Sequence, residues 1–161
     1  MRSLSQTFSR LLKRAWPADT ARLALPDLPG AAAALTAADL ARRAPARFAM
    51  AVTPGQANLD RIYADLCALG RGGGVTPFFF PPHTESDTET AGIRIDAVRM
   101  LNDISASTSD SCIVLATSIR ALLQPVPDPK AIAALSIRLC VNSDYAFDSL
   151  LEKLSASGYD R

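Results

Sequence analysis

The sequence predicts an α/β fold: a layered, mostly parallel sheet with helical crossovers. Three observations lead there. Segments with strand character alternate with segments at helical spacing along the chain, and such alternation places parallel strands between helical crossovers. Two strand segments, residues 48–52 and 112–116, are apolar on successive residues, as burial on both faces of a sheet requires. The chain has 161 residues, 48% of them hydrophobic, enough for one domain to enclose a core.

Residues 3–16 read as a helix. Leu4, Phe8, Leu11 and Leu12 fall on one side, Trp16 lies a turn further on, and Arg10, Lys13 and Arg14 flank the stripe. The stripe predicts a docking helix with a solvated basic face, and Pro17 stops it. Residues 22–25 follow as a short strand, and Pro26 to Gly30 as a turn. The Ala-rich segment 31–43 is helix-forming. After Pro45 the run 48–52 is a strand, expected at the centre of the sheet. Thr53, Pro54 and Gln56 have the spacing of a capping box. The helix they open continues through Leu59, Ile62, Tyr63, Leu66 and Leu69 and ends at Gly70 and Gly72 to Gly74.

Residues 75–80 form the next strand, and Pro77 within it predicts an edge position. A polar loop over 81–92 leads to a helix over 93–104 with Ala97, Val98, Leu101 and Ile104 inward. Residues 112–116 are the clearest strand, and Thr117 and Ser118 cap a short helix to Leu123. Pro125, Pro127 and Pro129 make a stiff connection and the best domain boundary. A further strand is expected over 135–141. Ser143 then caps a last helix with Phe147, Leu150, Leu151 and Leu154 inward, closed by Gly158.

Composition excludes several classes. Net charge is +1 overall but +4 over residues 1–22, so no global field favours nucleic acid. No apolar run approaches the roughly 18 residues of a membrane span. Cys67, Cys112 and Cys140 are an odd set without CxxC spacing. They predict buried thiols in a reducing cytoplasm rather than a disulfide framework.

Catalytic candidates are few. His83 is the only histidine, in a loop with Glu85, Asp87 and Glu89. Zinc needs further imidazole or thiolate ligands at suitable spacing, so a surface loop is expected, with no metal site and no Ser/His/Asp or Cys/His catalysis. Phe78, Phe79 and Phe80 could stack nucleic-acid bases, but acidic residues follow, so a core strand is the better reading. The place for a phosphate loop is Gly30, Ala31, Ala32, Ala33, Ala34, Leu35 and Thr36. A working loop needs permissive glycines and a lysine that reaches the phosphates. This one keeps a single glycine, and the chain's only lysines are Lys13, Lys130 and Lys153. Neither catalytic residues nor a cofactor are expected.

Five stretches, in order, resemble one family. They are Leu28 to Leu35; Phe48 to Pro54 with Gln56, Ala57 and Leu59 to Leu66; Phe79 to Pro82 with Ile93 to Leu101; Ile113 to Gln124, the most specific; and residues 135–141 with Leu150 to Tyr159. Together they resemble the N-terminal part of the transcription-repair coupling factor (Mfd) family, a degenerate copy of the excision-repair protein UvrB. UvrB itself keeps an intact phosphate loop and a long aromatic hairpin. Here the lysine is absent and the short loop over 81–92 replaces the hairpin, which points to the coupling factor.

The resemblance implies a degenerate phosphate-loop, helicase-like fold with three parts. Residues 1–20 are an N-terminal helix, 21–128 a UvrB-like α/β domain, and 135–161 the first strand and helix of an incomplete domain like UvrB's UvrA-binding domain. It implies a non-catalytic scaffold whose parent is an ATP-dependent DNA translocase. That parent displaces stalled RNA polymerase and recruits UvrA in transcription-coupled nucleotide excision repair. The family's partners are UvrA, RNA polymerase and DNA, and the family's remaining domains do not fit in 161 residues. A fragment, a truncated gene product and a stand-alone remnant all remain open. The chain alone is expected to make intramolecular contacts only, with no membrane association. The alternative is an unrelated stand-alone α/β nucleotide-binding or binding-module protein.

Overall fold

The computed structural model describes residues 28, 30–72, 74–84, 87–105, 112–126, 128–137, 139–141 and 144–156. The predicted helix over 3–16, the strand over 22–25, the Ser143 cap and the Gly158 terminator lie outside them. The described elements are α1 (Ala32–Arg43), β1 (Phe48–Thr53), α2 (Gln56–Gly70), β2 (Val75–Phe80), α3 (Thr88–Ser105), β3 (Cys112–Ser118), α4 (Ile119–Leu122), α5 (Pro129–Leu135) and α6 (Phe147–Ala156).

The fold is α/β. Among the described residues the sheet has three strands in the order β1-β3-β2, all parallel. β3 is central and buried at all seven positions, as its unbroken apolar run requires. β2 lies at an edge, where Pro77 costs no internal ladder bond. β1 corrects an expectation. Its run was expected at the centre, yet among the described residues it is the other edge strand, with Met50 and Val52 exposed. An apolar run reports side-chain type, whereas burial on both faces depends on neighbours the run does not contain.

Helices cover both faces. α1 and α2 pack on one, where Ala34, Ala38, Ala41, Leu59, Leu66 and Val114 form the core. α1 buries Ala34, Ala37, Ala38 and Ala41, spaced i, i+3, i+4 and i+7 on one face. α3 and α4 cover the other face, where Ala97 and Ala121 meet Phe78, Phe80, Ile113 and Leu115. Of the predicted inward residues of α3, Ala97 is buried and Val98 and Leu101 pack against it.

Helix starts and the C-terminal segment bring further corrections. Gly55, not Thr53, caps α2. Thr53 stays in β1 and its hydroxyl faces the carbonyls of Gly55 (3.2 Å) and Thr117 (3.3 Å); Gln56 donates to Asp60 instead of closing a capping box (2.8 Å). α3 begins at Thr88, five residues before the predicted start, because the Asp87 carboxylate accepts the Thr90 N–H (3.1 Å) and the Thr90 hydroxyl. Pro129 is not part of a stiff connection. Asp128 caps α5 by accepting the Lys130 N–H (3.0 Å), and Pro129 takes its first turn.

α5 packs against α3 and buries Ile132. Among the described residues the strand expected over 135–141 does not form. Leu135 ends α5, and residues 136–137 and 139–141 have no regular structure. A strand is stable only when paired, and Leu139 and Val141 are exposed. α6 forms as its periodicity predicts, but none of its residues is buried.

Candidate functional site

Parallel strands end at one edge of a sheet, and ligands of open α/β sheets bind there. In this chain that carboxyl edge gathers the loops after β1 and β2 and the starts of α2 and α4. α1 leads directly into the beginning of β1, so its own start lies at the same edge. The segment from Gly30 to Thr36 therefore lies at this edge.

Gly30 has a left-handed backbone (φ +53°), which glycine adopts at no steric cost. Ala31 is the N-cap, and it offers no side-chain cap. Ala31 is exposed and Ala32, Ala33 and Leu35 are half-buried, while Ala34 and Thr36 are buried. The Thr36 hydroxyl, the only one in the loop, donates to the Ala32 carbonyl (2.7 Å). Of the alanines Ala34 serves helix–sheet packing, and the threonine is occupied inside its own helix.

Opposite the loop, three separate segments interlock around Arg94 (Phe80 to His83, α3, and α4 with Gln124 and Pro125). Arg94 is only 4% exposed. It donates to the carbonyl oxygens of Pro81 (2.8 Å), Ala121 (3.5 Å) and Pro125 (3.1 Å) and to Gln124 Oε1 (3.4 Å). Its guanidinium lies 4.1 Å over the Phe80 ring, a cation–π contact. Every acceptor is a neutral oxygen. Burial lowers its pKa, yet a guanidinium stays charged wherever proteins fold.

Gln124 closes the arrangement. It accepts the His83 N–H at Oε1 (2.6 Å) and donates from Nε2 to the His83 carbonyl (2.8 Å). Thr117 donates its hydroxyl to the Phe80 carbonyl (2.9 Å), and Ser118 caps α4 through the Ala121 N–H (3.2 Å). The predicted cap of α4 thereby forms at Ser118. The cluster satisfies backbone groups and fixes the exits of β2 and β3.

His83 was expected in a surface loop. It is half-buried and pinned by Gln124, and its Nδ1 has no hydrogen-bond partner among the described residues. Phe78 and Phe80 are buried beneath α3, and Phe79 stacks on Tyr63 across the other face (4.6 Å between centroids). These three aromatics belong to the core. The cysteines divide: Cys112 is buried and Cys67 half-buried, but Cys140 is exposed because the expected strand around it is absent. Among the described residues no group of three or more His, Cys, Asp or Glu is positioned to hold a metal ion. A hollow of about 430 Å³ lies between α3 and α5, lined by Arg99, Asn102, Asp103, Ile132, Ser136 and Leu139. Since α3 runs back toward the start of β3, this hollow is away from the carboxyl edge.

Comparison with family models, curated proteins and solved structures finds no match. The resemblance to the coupling-factor family thus rests on the residues that carry it. No helix among the described residues is long and apolar enough to cross a membrane.

Proposed function

We propose that this chain is a non-catalytic scaffold with the UvrB-like fold of the N-terminal region of a transcription-repair coupling factor. One observation carries the reading. Three of the stretches that resemble the family, far apart in sequence, meet in one cluster. The Phe79 to Pro82 exit, the Arg-bearing helix and the Ile113 to Gln124 segment are joined by Arg94, Gln124 and Thr117. A likeness that covered only the layered pattern would not need these polar residues to find one another. Ala34, one of the positions at which a phosphate loop would bind, is used in packing instead.

In this role the carboxyl edge is a fixed platform, held by backbone-directed hydrogen bonds, for the remaining domains of a larger assembly. Its partners would be those of the family: UvrA, RNA polymerase and DNA. Calorimetry with Mg-ATP separates this reading from a nucleotide hydrolase of the same sheet type. No heat of binding is expected, since no lysine neutralises phosphate charge, and micromolar binding would overturn the scaffold reading. A reading frame for motor domains downstream in the same gene would be the matching genetic observation.

A further inference from the structure

Among the described residues, the helical layer over one face of the sheet stops short of β1. α3 packs on β2, and Ala97 joins the core that includes Ile113 and Leu115 of β3, with Phe48 at its margin. Further along β1, Met50 and Val52 pair in register with Leu115 and Thr117, so they project from that same face. With the whole chain present they remain 45% and 46% exposed. α4 borders this strip at the carboxyl edge, because Thr53 is in register with Ser118 and α4 begins at the next residue. Ala121 turns into the core, which leaves Ile119, Leu122 and Leu123 outside, with Val126 beyond them. Leu123 is 82% exposed, and the other three are at least 44% exposed.

The composition of this face is that of an interface centre. Its only charged side chain is Arg120, which is exposed and makes no hydrogen bond or ion pair among the described residues. Methionine and arginine are enriched at the centres of interfaces, where lysine and acidic residues are depleted. Contiguous apolar patches on a surface mark such contacts, whereas scattered single apolar residues do not.

Area, spacing and charge decide the occupant. Fully burying one aliphatic side chain removes roughly 60–120 Å² from water, so six half-exposed ones offer on the order of 200–400 Å². A stable dimer needs about 800 Å² from each partner, and a symmetric one would also bring two Arg120 side chains into one small contact. A single helix suits the place better. Packed helices lie about 8–10 Å apart, or roughly two strand spacings. β1 is two strands from β2, so a helix beside α3 falls over Met50 and Val52.

We propose that the face formed by β1 and α4 docks one amphipathic helix of a partner protein. The helix lays an aliphatic stripe against Met50, Val52, Ile119 and Leu123 and pairs a carboxylate with Arg120. Such docking is independent of the coupling-factor reading.

The probe is a fluorescein-labelled helical peptide of about 15 residues, roughly four turns. It carries leucine at i, i+3, i+4 and i+7, the spacing of helix anchors, with glutamate on both flanks. Its anisotropy should rise when the full chain is added at micromolar to sub-millimolar concentration. A lysine-flanked peptide with the same leucines should bind several-fold more weakly, and Arg120→Glu should reverse that preference. Leu123→Asp and Val52→Asp should each weaken binding roughly tenfold. Val141→Asp, at a 93% exposed side chain outside both elements, should leave it unchanged. If Val52→Asp loses its helical circular dichroism, Val52→Thr takes its place, since threonine suits a strand, and a several-fold loss is expected. Three results would overturn the proposal: no binding at millimolar chain, a glutamate preference that survives Arg120→Glu, or an affinity that Leu123→Asp leaves unchanged. A dimer in sedimentation that Leu123→Asp dissociates would overturn it too, because the occupant would then be a second copy.

Discussion

Arg94 is a buried cation whose partners are all neutral carbonyl oxygens, so its contribution depends on geometry rather than charge pairing. Its planar fork reaches Pro81 on one side and Pro125 on the other. Arg94→Met keeps the volume and leaves those acceptors without a donor, which should cost roughly 2–4 kcal/mol in urea unfolding. Arg94→Lys should recover little, because one ammonium cannot span both carbonyls. An unchanged midpoint in either variant would mean that the cluster is incidental. Asp87 makes a pH-dependent contribution. The Thr90 hydroxyl and N–H hold its carboxyl below the ordinary value. A carboxyl lowered in the folded state stabilises above its unfolded pKa and loses that contribution as pH falls through its folded one. The stability gap between the wild type and Asp87→Ala should therefore be full at neutral pH and close in acid. A gap independent of pH would remove Asp87 as the start of α3. Asp87 was legible as an Asp N-cap three residues before Thr90, but Arg94 could not be assigned its role from local pattern. Arg94 and Gln124 are 30 positions apart, and only the crossover brings them together.

Elements differ in how far local sequence determines them. β3 was legible because residues 112–116 are apolar without a break, and the fold gives it a neighbour on each side and extends it to Ser118. Leu115→Asp puts an unpaired charge into that core and should cost at least about 3 kcal/mol. Val141→Asp is the contrast. Its segment has the same apolar character, but Val141 is 93% exposed, so the change should stay within about 0.5 kcal/mol. Equal losses in both variants would restore the strand expected over 135–141. That strand was misread because Asp128 and Pro129 start a helix that takes residues up to Leu135, and the remainder finds no strand to pair with. α1 was legible for a different reason: its alanine-rich stretch is helix-forming. Ala38 and Ala41 are fully buried against the sheet, so Ala38→Leu should overpack the interface and cost about 1–3 kcal/mol. A neutral result would mean that α1 can move away from the sheet, leaving room at its start for a ligand.

At the scale of the whole molecule, support is uneven along the chain. β3 is flanked by strands and covered on both faces, whereas α6 buries none of its residues. α6 nevertheless has an apolar stripe: Phe147 is 69% exposed, and Leu150, Leu151 and Leu154 are only half-buried. A ten-residue helix is marginal in water without tertiary packing, so its amides should open locally at little cost. α5 should lie between the extremes, since Ile132 anchors it to α3. Native-state hydrogen exchange is expected to rank the segments accordingly: Cys112–Ser118 slowest, Pro129–Leu135 intermediate, Phe147–Ala156 fastest. The order follows from burial and does not depend on the functional reading. Protection of α6 equal to that of β3 would require a partner for its stripe. Dilution would then tell a second copy, whose contribution falls with concentration, from a contact within one chain, whose contribution does not.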